Sequence, residues 1–112
     1  MAMRKSNFLH FKMIAIILGV LVGSAVTAEE PGYFPKTGFV PDAKTAIAIA
    51  EAILVPIYGQ KQIASERPFH AVLDKRGVWT VEGTLPSGSD GGVAEIKLSR
   101  QDSRILYVMH GK

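Results

Sequence analysis

The sequence predicts an α+β domain in which one main N-terminal helix packs on a four-stranded antiparallel sheet. Three observations carry that expectation. The stretch Ala43 to Tyr58 repeats apolar residues at helical spacing, and four later stretches alternate apolar and polar residues with the period of a strand. The links between those four stretches are short and rich in turn residues, which suits sequential antiparallel strands covered on one face by a helix.

The helix reads AKTAIAIAEAILVPIY. Ala46, Ala50, Ile53, Leu54 and Ile57 fall on one face, whereas Lys44, Ala48, Glu51 and Val55 fall elsewhere. Asp42 follows Pro41 and is suited to cap the start. Pro56 lacks an amide donor and clashes one turn back, so a kink or an end is expected there, with Gly59 as the stop. The segment GQKQIASERP then reads as a polar connector or a short helical turn.

Four strands follow. Phe69, Ala71 and Leu73 alternate with His70, Val72 and Asp74; Trp79, Val81 and Leu85 alternate with Thr80, Glu82 and Thr84. Ala94, Ile96 and Leu98 alternate with Glu95, Lys97 and Ser99, and residues 104–109 (RILYVM) are apolar on both faces. Asp74–Gly77 and Arg100–Ser103 provide tight links. Trp79 and the aliphatic alternates are expected to face Ile53, Leu54 and Ile57. The other face carries Val72, Thr80, Glu82, Glu95, Lys97 and Val108, a mixed surface that is either solvated or covered by a partner.

The start of the chain has a different character. Residues 1–12 carry Arg4, Lys5 and Lys12 without an acid, residues 13–26 are apolar apart from Ser24, and Val26-Thr27-Ala28 ends in small residues. A basic start, a short apolar core and a small-x-small end make a secretory signal, with cleavage after Ala28 and a periplasmic or secreted product. The apolar run is short of the roughly 20 residues that span a bilayer as a helix, so no stable membrane anchor is expected after cleavage; retention as an inner-membrane anchor is the alternative. No cysteine is present to carry a lipid or a disulfide. Residues 29–41 hold three prolines and two glycines and read as an extended arm, leaving 42–112 as a single α+β domain.

This division removes the apparent basicity. Taking Arg4, Lys5 and Lys12 from the 13 Lys and Arg leaves 10, equal to the 10 Asp and Glu, so nucleic-acid binding loses its support.

Candidate sites are few. The glycine-rich segment GTLPSGSDGGVAEIKLS leads into a strand, whereas a phosphate loop leads into a helix N-terminus and ends in Gly-Lys-Ser/Thr. It is a hairpin loop that can carry contacts. His70, His110, Glu82 and Glu95 have the chemistry of a zinc site but no local ligand spacing, so no metal and no cofactor are expected. Ser65, Ser87, Ser89, Ser99 and Ser103 lack a nucleophile-elbow frame, and Glu82 beside Glu95 is explained by alternation on a wet face, so no catalytic residue is assigned. His110 lies near the frayed C-terminal end. Tyr58 and Tyr107 are expected in the core, and Tyr33 and Phe34 on the surface.

Residues 39–69 (FVPDAKTAIAIAEAILVPIYGQKQIASERPF) and 77–112 (GVWTVEGTLPSGSDGGVAEIKLSRQDSRILYVMHGK) together resemble the immunity proteins of bacterial polymorphic toxin systems whose fold is nuclear-transport-factor-2-like. The pieces that carry the likeness are the Ala/Ile helix running into PIYG, the ERPF link, the W-x-V-x-G-T-L-P strand and the GGVAEI…HGK ending. The resemblance implies a trimmed nuclear-transport-factor-2-like or cystatin-like domain. It also implies a non-enzymatic protein whose partner is a cognate protein toxin. Export would place that toxin's action in the envelope. Contacts are expected from the Tyr33–Phe34 arm, from Ser87, Ser89 and Asp90 in the Pro86–Gly92 loop, and from Glu82, Glu95 and Lys97 on the outer face; a homodimer is left open. GGVAEIKLSRQDSRILYV also resembles the strand–turn–strand end of PepSY-type modules, which implies an inhibitor of a secreted or periplasmic peptidase, although Asp-Ser-Arg stands where such turns carry glycine. A ligand carrier or pocketed enzyme is the third class, with no convergent polar constellation in its favour.

Overall fold

The computed structural model describes residues 30–112; the expected export signal and its cleavage point lie outside them. The fold below is that of the compact unit Phe34–Lys112. Helix α1 spans Ala43–Tyr58 and a short helix α2 spans Gln60–Ser65. Strands β1 (His70–Leu73), β2 (Val78–Glu82), β3 (Ala94–Ser99) and β4 (Ile105–His110) follow, paired antiparallel in the order β1-β2-β3-β4. The expected architecture of one main helix on a four-stranded meander is what forms.

The helix ends follow from local chemistry. The Asp42 carboxylate accepts the Thr45 amide at 2.8 Å, and Gly59, at φ 98°, donates its amide to the Val55 carbonyl at 2.8 Å. Pro56 does not break α1, which runs on to Tyr58. So near the end, Pro56 costs the ladder little more than its own missing donor. The buried face of α1 is Ala46, Ala50 and Leu54, flanked by half-buried Ile47, Ile49 and Ile53. Ile57 is 53% exposed, contrary to expectation. The chain turns at Gly59, and Ile63 of α2 fills the core instead.

Small alanines let α1 lie close against β1, β2 and β3, where Phe69, Trp79, Val81, Ala94, Ile96 and Leu98 complete one apolar cluster. β1 is an edge strand and holds Leu73 only partly covered, while Leu85 lies beyond the end of β2 and is exposed. Val108 was expected on the outer face but packs inward, because β4 has a register shift opposite Lys97 and Leu98 that changes which residues point in.

The arm is docked at its end rather than free. Phe39 and Val40 donate their amides to the carbonyls of Gln101 and Arg100, and Val40 is fully buried. The indole N–H of Trp79 donates to the Val40 carbonyl at 2.9 Å, which gives the one polar atom of that buried ring its partner. The β3–β4 turn closes without glycine: Ser103 takes the left-handed conformation at φ 62°.

Candidate functional site

The outer face of the sheet is a grid fixed by register. One row runs His70, Glu82, Glu95, Met109, and the next runs Val72, Thr80, Lys97, Tyr107. Glu82 and Glu95 therefore stand directly opposite one another, an unfavourable pairing of like charges. Lys97 relieves it from one side: its ammonium lies 3.2 Å from Glu95 Oε2 and donates to Thr80 Oγ1 at 3.0 Å. Glu82 is exposed and has no basic partner among the described residues. Apolar side chains frame this charged centre, Val72 at one edge and Tyr107 at the other. Tyr107 was expected in the core; it is 46% exposed because the shift in β4 seats it opposite Lys97. Tyr58 is half-buried against the core.

The structure thus brings Glu82, Glu95 and Lys97 together. Ser87, Ser89 and Asp90 are exposed in the Pro86–Gly92 loop. The loop turns at Gly88 and Gly91, both at positive φ, and returns with Gly92 packed against Gly111, where a side chain could not fit. Beside it lies an open groove of about 420 Å³, whose lining includes Gln62, Pro86, Asp90 and His110. Phe34 is 81% exposed and meets Phe39 edge to face at 6.4 Å. Tyr33 is exposed and falls outside the compact unit, so it is not placed relative to the rest.

Sequence reasoning missed the centre behind the loop. Glu66, just after α2, is fully buried. Its Oε1 accepts the Ala94 amide at 2.7 Å, and its Oε2 accepts Gln62 Nε2 and His110 Nε2, each at 2.7 Å. Its own carbonyl accepts the Thr84 amide at 2.7 Å. His110 is not frayed: it is the last residue of β4, stacked near Tyr58 with ring centroids 5.2 Å apart. Its Nδ1 faces the Gly111 carbonyl at 2.7 Å and its Nε2 faces the Glu66 carboxylate. A backbone carbonyl and a carboxylate facing the two ring nitrogens favour the doubly protonated ring. Burial by itself would raise the Glu66 carboxyl, but the bonds from Ala94, Gln62 and His110 outweigh it and hold it below its ordinary range. The bond to Glu66, and then that to Gly111, hold His110 above its ordinary range. The sequence signal was the three-residue spacing of Ile63, Glu66 and Phe69, all buried.

A zinc centre from His70, His110, Glu82 and Glu95 does not assemble, since His110 lies on the inner side, held by Glu66, while the other three share the outer face. Among the described residues no three metal-ligating side chains converge, and no helix is long and apolar enough to cross a membrane.

No solved structure matches the chain. The chain is 33% identical over 85 residues to "Uncharacterized protein YhhH" of Escherichia coli (strain K12), an alignment covering 75% of this chain and 66% of that protein, so that the chain spans just under two thirds of that relative's length. The profile of the family described as "NTF2 fold immunity protein" matches residues 45–112, from the first turn of α1 through the end of β4. The chain belongs to the NTF2 fold immunity protein family.

Proposed function

We propose that this immunity protein protects its host from a toxin acting in the cell envelope, which it binds through the outer sheet face and the Pro86–Gly92 loop. The observation that carries the reading is the exposed face itself, with Val72, Tyr107 and Met109 around Thr80, Glu82, Glu95 and Lys97. An apolar rim around fixed charges suits a protein partner. Stable complexes need roughly 800 Å² per partner, a size that one sheet face and an adjoining loop can supply. Neutralisation by occlusion requires no catalytic group. An immunity protein must share a compartment with its toxin, and the basic, apolar and small-residue order of residues 1–28 supports export. Peptidoglycan or membrane is then the toxin's target.

The test is an affinity pull-down of the tagged chain from the periplasm of its host, followed by a protection assay with whatever is recovered. A stoichiometric partner with a wall- or membrane-degrading activity, blocked by the purified protein, is the expected result. Recovery of a housekeeping protease would favour peptidase inhibition instead. Protection against a cytosolic nuclease by a chain lacking residues 1–28 would sink the envelope assignment.

A further inference from the structure

The two edges of the sheet are guarded differently. β1 has four residues, follows Pro68 and runs into the charged turn Asp74-Lys75-Arg76. β4 has six residues, ILYVMH, with no proline, lysine or acid, and its one histidine is turned inward onto Glu66. Proline, lysine and short length are the usual protections of an exposed edge, and β4 lacks all of them. Its register shift lies at the Ile105 end, and from Tyr107 onward the pairing with β3 is regular. The Gly111 amide donates to the Val93 carbonyl. By the alternation of an antiparallel ladder, the N–H and C=O groups of Val108 and His110 then point away from β3. Among the described residues no strand pairs with that side of β4. Helix α1 packs mainly over β1, β2 and β3, and β4 reaches the core at its margin through Ile105 and Val108.

We propose that two copies of this chain pair antiparallel through β4, centred on Val108, to form one continuous eight-stranded sheet from two four-stranded ones. The argument for a second copy is that the edge is complementary to itself. A twofold axis at Val108 lets the two Val108 residues exchange both backbone hydrogen bonds. The same axis sets Tyr107 of each copy against Met109 of the other on the outer face, a phenol ring beside a thioether, and opposes no two like charges across the junction. The charged residues Glu95 and Lys97 stand one strand back. The pairing joins the two outer faces into one wider surface.

The experiment is sedimentation velocity on the protein purified from cells expressing the full chain, across about a hundredfold range of concentration. The mass is expected to double over that range. Tyr107→Lys is expected to weaken the dimer by at least about tenfold, as an edge lysine does, while Val72→Lys on the opposite edge leaves it unchanged. Hydrogen exchange gives a second reading: the Val108 and His110 amides slow in the dimer and speed on dilution. A mass that stays monomeric overturns the proposal and leaves the edge to a strand of another protein. A dimer weakened equally by Val72→Lys also overturns it, because that result belongs to packing of the outer faces. No toxin enters the measurement, so its failure leaves the immunity reading standing.

Discussion

Replacing the Glu66 carboxylate with the isosteric amide, Glu66→Gln, removes one charge from the interior and almost no volume. In the native protein that carboxylate accepts from Ala94, Gln62 and His110, each at 2.7 Å, and is fully buried. The amide can keep the Ala94 bond through its oxygen, but its NH₂ group then faces two donors. Breaking one side of a buried ion pair costs about 3–5 kcal/mol, while hydrogen bonds to a charged group contribute about 1.5–3 kcal/mol each. Since His110 can deprotonate and accept from the new amide, the lower part of the range applies, about 2–3 kcal/mol. Glu66→Ala allows no such rescue and should reach about 3–5 kcal/mol, a large share of the roughly 5–15 kcal/mol of a whole domain. The assay is urea denaturation followed by fluorescence of Trp79, the single tryptophan, which is buried and changes environment on unfolding. The pH profile supplies the sign. His110 is held above its ordinary 6.5, so its contribution is fully present below pH 6.5 and lost as pH rises through the folded value. Glu66 is held below its ordinary 4.5, so its contribution is present above pH 4.5 and lost as pH falls through the folded value. The pair therefore stabilises most between those two limits, and Glu66→Gln should flatten both flanks. A variant within about 0.5 kcal/mol of the parent, with an unchanged pH profile, would refute the role given to Glu66.

Trp79→Ala should destabilise by roughly 3–5 kcal/mol in the same urea assay, because it empties a core site and orphans the Val40 carbonyl. Gly83→Ala would bring its Cβ to 2.6 Å from Glu66 Oε1 and 3.1 Å from Phe69 Cζ, so a loss of about 1–3 kcal/mol with an altered pH profile is expected. Asp90→Arg, in the exposed loop, should leave the urea midpoint in place and weaken capture of the toxin in a binding titration; unchanged affinity would make the loop a turn only.

Local chemistry made the framework readable. The limits of α1 follow from Asp42, the alanine–isoleucine repeat and Gly59, and the sheet from alternation broken by turn residues. Long-range events were harder to see. The burial of Val40 depends on Trp79 and Arg100, both distant in sequence, so residues 38–40 looked like free arm. Tyr107 and Val108 exchanged faces because one register shift in β4 resets the alternation, and no single residue announces such a shift. Glu66 and His110 lie 44 residues apart, and each alone reads as a surface residue. The outer-face residues Glu82, Glu95 and Lys97 were legible because alternation alone puts them there.

Glu66 also occupies the place where the β2–β3 hairpin would otherwise continue. The Gly83 amide still reaches the Ala94 carbonyl, but the Ala94 amide goes to the Glu66 carboxylate and the Thr84 amide to the Glu66 carbonyl. Both roots of the segment between β2 and β3 are thus clamped to one residue outside the hairpin. Its tip can change length or composition with little effect on the sheet, since lengthening a flexible loop from fixed ends costs only about 0.6 kcal/mol per doubling. A lineage under pressure to follow a changing toxin could diversify residues 86–90 while everything beneath them kept its sequence.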